Sequence, residues 1–130
     1  MTTYQMENIR NVAVTGHGKS GKSSIIEAML FNSGAINRMG KNLDGTLASD
    51  YDIEETKRQM SISTSVAPIE WKGMKLNMLD TPGYFDFVGE VKEGIRAADS
   101  ALVVLSGRSG VSVGTEQTFK FAKQKGVPIM

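Results

Sequence analysis

Cysteine is absent from the 130 residues, and histidine occurs once. Without thiols the chain has no disulfide framework, no thiolate zinc site and no cysteine nucleophile. One histidine excludes a His-rich metal cluster. Charge of one sign is missing too: 15 Lys plus Arg stand against 14 Asp plus Glu, a formal net charge of +1. That balance excludes a strongly basic nucleic-acid arm or an acidic tail, and no direct DNA binding is expected. No run approaches the ~20 apolar residues of a membrane span; the longest clean one is Ala101 to Leu105. The start, Met1 to Glu7, lacks the basic and apolar regions of a signal peptide. A soluble, cytoplasmic protein with no membrane partner is expected. What is present is ordinary for one globular domain: 40% apolar residues and 14 Gly.

Along the chain, Val12-Ala13-Val14 reads as a short buried strand that stops at a Gly-rich loop. Ile25, Ile26, Met29 and Leu30 then recur at helical spacing, with an end expected near Asn32-Ser33-Gly34. Ala35 to Ser61 shows no sustained period and reads as a mobile segment, either a functional loop or a disordered one. Ile62, Thr64 and Val66 alternate, and Pro68 suggests an edge strand that tolerates a missing N–H. Lys72-Gly73 reads as a hairpin turn into Met74–Leu79, and Asp80-Thr81-Pro82-Gly83 breaks that strand. Val88, Val91, Ile95 and Ala98 share one helix face. Ala101–Leu105 has parallel-strand character, a helix is expected over Glu116–Lys125, and a last strand starts at Val127. Strands alternating with helices imply an α/β fold, a three-layer αβα sandwich with a mostly parallel sheet and one antiparallel edge strand. A chain that stops inside a strand reads as truncated on its C-terminal side.

Gly16-His17-Gly18-Lys19-Ser20-Gly21-Lys22-Ser23 matches the phosphate-binding pattern G-x-x-x-x-G-K-[ST] of P-loop NTPases. Glycines let the backbone curl so that successive N–H groups face phosphate oxygens. Lys22 can reach the β- and γ-phosphates, the Ser23 hydroxyl can ligate Mg²⁺, and the helix starting near Lys22 adds its positive dipole end. Against this stands a glycine turn without a ligand, which the strand–loop–helix context disfavours. Leu76 to Gly83 supplies the second motif: an apolar strand ends in Asp80, placing a carboxylate at the strand tip, where it can hold Mg²⁺ through water. Gly83 has no side chain to block its N–H from the γ-phosphate. Alone, Asp-x-x-Gly is a common turn; its pairing with the upstream loop gives it meaning. Ser61, near the end of the intervening segment, reads either as part of a solvated loop or as a switch hydroxyl that closes onto Mg²⁺. His17, the only histidine, reads as a loop residue rather than a general base, which leaves no second His for an acyl-transfer triad. Lys120, Lys123 and Lys125 read as a solvated face.

With these residues in view, the chain resembles the N-terminal part of the G domain of a translational GTPase, closest to elongation factor G and its elongation-factor-G-like relatives. The likeness rests on Gly16 to Ser24, Lys57 to Thr64, Asp80-Thr81-Pro82-Gly83, and Asp86-Phe87-Val88-Gly89-Glu90-Val91. It implies binding of GTP and GDP with Mg²⁺, ribosome-stimulated hydrolysis, and contact with the ribosome through the full-length protein. Nucleotide contacts fall on Gly16, His17, Gly18, Lys19, Ser20, Gly21, Lys22, Ser23, Ser24, Asp80, Thr81, Pro82 and Gly83; metal contacts fall on Ser23, Ser61 and Asp80. Residues 1–130 are then the N-terminal portion of a larger GTPase domain, since the guanine-selecting Asn-Lys-x-Asp motif normally follows the strand that starts at Val127.

Departures from the family pattern matter. Tyr84 stands where a His usually positions the attacking water, so either it orients water differently or hydrolysis is slow; a hydrophobic cover beside Phe85 and Phe87 is the plainer alternative. Lys22 and Tyr84 are the candidate catalytic residues. Lys19 replaces a common Asp, and Ser61 a usual Thr. Gly18 and Gln59-Met60 replace a usual Ile and Gly-Ile, which implies an altered apolar gate. Two other classes stay open: a nucleotide-sensing binding module with little turnover, and an ATP-dependent P-loop enzyme. The 130 residues alone are expected to bind nucleotide weakly or not at all and to be inactive.

Overall fold

The computed structural model describes residues 3–40, 63–84 and 88–130. Strand β1 (Ile9–Gly16) lies inside a four-stranded sheet with β2 (Ser65–Trp71), β3 (Met74–Asp80) and β4 (Ser100–Val104), in the order β2-β3-β1-β4. β1 runs parallel to both β3 and β4, and β2 is antiparallel to β3. Helices α1 (Lys22–Asn32), α2 (Val88–Ala97) and α3 (Val113–Lys125) cover the sheet.

Adjacent apolar residues in β1 and β3 set the layering. Val14 and Met78 point to one face, where they bury Ile26 and Leu30 of α1 together with Ala67 and Ile69. Ala13 and Leu79 point to the other, against Val91 and Ile95 of α2 and Ala122 of α3. The side-chain period of two thus turns a continuous apolar run into two cores, and the sheet is sandwiched between helices. Ile26 and Ile95 are each 1% exposed, burial that contributes about 1.5–3 kcal/mol per side chain.

The edge-strand expectation holds: Pro68 lies in β2, whose sheet neighbour among the described residues is β3 alone, and it stands opposite Asn77. Trp71 faces Met74 across a two-residue turn in which Lys72 (φ 48°) and Gly73 (φ 79°) are both left-handed. That is the geometry of a type I′ hairpin, whose twist matches the strands it joins.

Several boundaries differ from expectation. β1 begins at Ile9, three residues ahead of the apolar triplet, because Ile9 to Asn11 pair with Lys75 to Asn77. α3 begins at Val113 instead of Glu116. Ser112 takes the extended N-cap position, and its Oγ lies 3.1 Å from Thr115 Oγ1. Leu105 lies outside β4 and is 51% exposed. α3 ends as expected at Gly126 (φ 76°), whose N–H donates to Ala122 O. Beyond it, the expected last strand is reduced to a single parallel bridge between Ile129 and Ala101, supported by Ala101 N–H to Pro128 O and Met130 N–H to Ala101 O, each 2.9 Å. Among the described residues, no helix is long and apolar enough to cross a membrane.

Candidate functional site

The parallel arrangement delivers the C-terminal ends of β1 and β3 to one edge of the sheet, and the two sequence motifs meet there. The loop from Gly16 to Gly21 leaves β1 through three left-handed residues: Gly16 (φ 144°), Lys19 (φ 62°) and Gly21 (φ 99°). Gly21 is the N-cap of α1 and offers no side-chain hydrogen bond. The first N–H groups of an eleven-residue helix therefore face the loop without a capping side chain from that position. Ser20 Oγ and His17 Nδ1, both on this loop, are buried with no hydrogen-bond partner among the described residues.

Lys22 folds back over this loop. Its ammonium donates to His17 O at 2.8 Å and Gly16 O at 3.3 Å, and the residue is 6% exposed. Burial pulls its pKa below the ordinary 10.5, and the Asp80 charge opposes that shift. A cation held this way favours an arriving anion that restores its solvation.

One helical position on, the Ser23 hydroxyl donates to Asp80 Oδ2 at 2.6 Å, joining α1 to the tip of β3. Asp80 is 1% exposed. Hydroxyl and carboxylate oxygens side by side are the hard donors that Mg²⁺ takes. Among the described residues no cluster of three His, Cys, Asp or Glu exists. Mg²⁺ is commonly held by one or two carboxylates plus substrate phosphates rather than by an all-protein cage. These residues fit the metal.

The turn after β3 closes against the loop. Thr81 gives both its N–H (3.2 Å) and its hydroxyl (2.9 Å) to Val14 O, and Thr81 and Pro82 are buried beneath the site. A Cβ at Gly83 would collide with Lys22 Nζ and come within 2.6 Å of Gly18 N. No side chain can occupy that position while the turn lies there. Tyr84 covers Gly18. His17 packs on the first turn of α3, where a Cβ at Gly114 would sit 2.8 Å from Nδ1. Lys19 and Ser24 are exposed at the loop tip and on the first turn of α1. Lys120, Lys123 and Lys125 are all exposed on α3. Ser61, Ile62, Phe85, Asp86 and Phe87, together with the span 41–60, lie outside the described residues.

Two further contacts carry no sign of their pairing in the sequence. Thr64 donates its N–H to Glu90 Oε2 (3.0 Å) and its hydroxyl to Glu90 O (3.2 Å), clasping the start of β2 to α2. One turn along, Gly94 abuts the methyl of Thr81. The motif containing Glu90 was visible in the sequence, but its partner was not, and a glycine inside a helix was the sole sign of the second contact.

A family model described as "Elongation factor Tu GTP binding domain" matches residues 7–130. The chain belongs to this family. Two elongation factor G-like proteins of Mycobacterium tuberculosis, strains CDC 1551 / Oshkosh and ATCC 25618 / H37Rv, are each 40% identical over 120 residues, or 92% of this chain. The chain spans 17% of the length of these curated relatives. A crystal structure of a Thermus thermophilus protein superposes with a TM-score of 0.91 at 43% identity, over 94% of this chain and 18% of that one. A bacterial selenocysteine-specific elongation factor superposes at 0.73 with 26% identity, over 91% of this chain and 18% of that one. The αβα fold with its phosphate loop is therefore that of the GTP-binding domains of elongation factors.

Proposed function

We propose that the chain forms the phosphate- and metal-binding part of a GTP-hydrolysing switch in a cytoplasmic elongation factor G-like protein that acts on the ribosome. In this reading residues 1–130 are the N-terminal portion of a larger GTPase domain, with the guanine-selecting motif further along. The observation that carries it is the Ser23–Asp80 hydrogen bond of 2.6 Å beside the buried Lys22 ammonium, at the head of a helix without a side-chain cap.

Gly16 to Ser24 would cradle the phosphates of GTP or GDP with backbone N–H groups, while Lys22 exchanges its loop carbonyls for phosphate oxygens. Ser23 and Asp80 would hold Mg²⁺, and Ser61 joins them on the strength of the resemblance. The metal, when bound, neutralises charge on the β- and γ-phosphate oxygens. Gly83 leaves its N–H open to the terminal phosphate. Positioning and electrostatics then supply most of the catalysis, as phosphoryl transfer requires.

A second reading, a nucleotide sensor with little turnover, is favoured by Tyr84, which brings a phenol to the reacting end where the family usually has an imidazole. Single-turnover GTP hydrolysis by a full-length protein carrying these residues, with and without ribosomes, separates the two. Ribosome stimulation supports the first; binding without stimulated turnover supports the second. Displacement of a bound fluorescent guanine nucleotide by GTP but not ATP excludes the ATP-dependent alternative.

A further inference from the structure

Glu90 belongs to a sequence motif, Asp86 to Val91, that the site described above leaves without a task. It sits in the first turn of α2, where a glutamate ordinarily serves the N–H groups of its own helix. Glu90 reaches across to another element. Its Oε2 accepts the N–H of Thr64 at 3.0 Å, and its backbone O accepts the Thr64 hydroxyl at 3.2 Å. One helical turn further, Gly94 lies on the same face. A Cβ there would stand 2.7 Å from Thr81 Cγ2, 3.8 Å from Thr64 Cγ2 and 4.0 Å from Thr64 Oγ1. Thr64 and Thr81 thus lie side by side over a stretch of helix that leaves room for both.

The strand ladder gives this contact its meaning. β2 and β3 are paired out to Ser65 and Asp80, and the next rung would join Thr64 to Thr81. Those two residues are tied elsewhere: Thr81 gives its N–H and hydroxyl to Val14 O, and Thr64 gives its own to Glu90. Asp80 is therefore the last residue of β3 held from both sides, by Val14 on β1 and by Ser65 on β2. The two sides are unequal. β1 is an interior strand, whereas β2 has β3 alone as its sheet neighbour among the described residues. The end of an edge strand opens locally unless something ties it. Glu90 supplies the tie, one residue beyond the rung that holds Asp80. That carboxylate is the one that takes the Ser23 hydroxyl at 2.6 Å. Mg²⁺ demands near-ideal octahedral geometry, so the backbone that aims its ligand has to be fixed.

Resting on the reading of Ser23 and Asp80 as a Mg²⁺ site, we propose that Glu90 is a positioning residue of that site. By ending β2 at Thr64 it fixes the tip of β3, and with it Asp80, in the register the metal requires. Gly94 is the other half of the arrangement, because it lets Thr81 and Thr64 settle where Glu90 meets them.

The test is a Mg²⁺ titration of GDP affinity in the full-length protein, for the unaltered chain, Glu90→Ala, Glu90→Gln, Thr64→Val and Asn11→Ala. Asn11 serves as the control for lost stability. It lies toward the other end of β1, where its side chain donates to Ala97 O and accepts from Asn77. Glu90→Ala should raise the Mg²⁺ midpoint about 10-fold, the lower end of what groups supporting a metal ligand contribute, and change Mg²⁺-free affinity less than about 3-fold. Glu90→Gln keeps an acceptor oxygen and should restore most of the loss. Thr64→Val keeps the N–H bond but not the hydroxyl, and should fall between the two. Asn11→Ala should leave the midpoint in place. A Glu90→Ala protein that loses stability as Asn11→Ala does, with its midpoint unmoved, overturns the proposal and leaves the metal site standing. A midpoint raised equally by Glu90→Gln overturns it as well, since the hydrogen bond would then not be the cause. GDP binding by the unaltered protein that ignores Mg²⁺ overturns the metal-site reading itself. If Glu90→Ala does not fold, Thr64→Val decides the matter, and an unmoved midpoint there overturns the proposal.

Discussion

The Ser23 hydroxyl donates a 2.6 Å hydrogen bond to Asp80 Oδ2, across 57 residues of sequence. Neither group is where it is for the sake of the core. Asp80 is a nearly fully buried carboxylate at a strand tip, an expensive placement unless its charge has a use. The pair that binds α1 to β3 is also the oxygen pair available to Mg²⁺. Asp80→Asn should therefore weaken the Mg²⁺-dependent part of nucleotide affinity at least 10-fold and leave the Mg²⁺-independent part nearly unchanged. Titration of nucleotide affinity against Mg²⁺ checks this; an unaltered metal dependence would contradict the assignment.

Lys22 gives a pH dependence with a definite sign. Burial lowers its pKa below 10.5, so the folded chain without ligand releases the proton at lower pH than an exposed lysine does. A phosphate ligand requires the ammonium. Nucleotide affinity should accordingly fall as pH rises from neutrality toward 10.5, through the lowered value, because binding must first restore the proton. The same shift acts oppositely on the ligand-free fold. There the unfolded chain keeps its proton longer, so Lys22's contribution to stability rises with pH in that window. Lys22→Arg, whose charge does not titrate, should flatten the alkaline limb of binding; a retained limb in that variant would trace it to another group.

Glu90 ties the first residues before β2 to α2 through Thr64. Truncating a charged acceptor of a partly buried N–H costs about 1.5–3 kcal/mol. Glu90→Ala should lose that much in urea denaturation, and Glu90→Gln, which keeps an acceptor oxygen, less than half of it. Equal losses in the two variants would show that packing, not the hydrogen bond, holds the contact.

Gly94 illustrates a close approach. Substitution of a helical glycine by alanine ordinarily stabilises by about 1 kcal/mol. Here the new Cβ would lie 2.7 Å from Thr81 Cγ2, and overpacking of this kind costs about 1–3 kcal/mol. Gly94→Ala is expected to lower the melting temperature, and Thr81→Ser, which removes that methyl but keeps the hydroxyl for Val14 O, should rescue it. A more stable single variant would mean that the helix moves freely away from the turn.

The phosphate loop, Asp80 and the layering were legible because their signals are local. Glycine spacing, a strand ending in a carboxylate, and apolar pairs such as Ala13-Val14 carry their meaning within a few residues. The edge position of Pro68 was legible for the same reason, since a missing N–H is a property of one residue. The first turn of α3 was not: Val113 and Gly114 show no apolar period, and what seats the turn is His17 packing onto Gly114 from nearly 100 residues away. The contacts Thr64–Glu90, Gly94–Thr81 and Gly18–Tyr84 were invisible on the same grounds. Each joins a group with no local signature to a partner that only the fold brings near. Resemblance could say that Gly18 and Tyr84 are unusual; geometry alone shows that they are unusual together.

Lys22, Ser23 and Asp80 are proposed to form one Mg²⁺-dependent site for guanine nucleotide. Its most direct test is equilibrium binding of GTP to the full-length protein, with and without Mg²⁺, for the unaltered chain and Lys22→Ala. Mg²⁺ should strengthen binding, Lys22→Ala should weaken it by at least 100-fold, and ATP should fail to compete. Binding that ignores Mg²⁺ and survives loss of the Lys22 ammonium would contradict it.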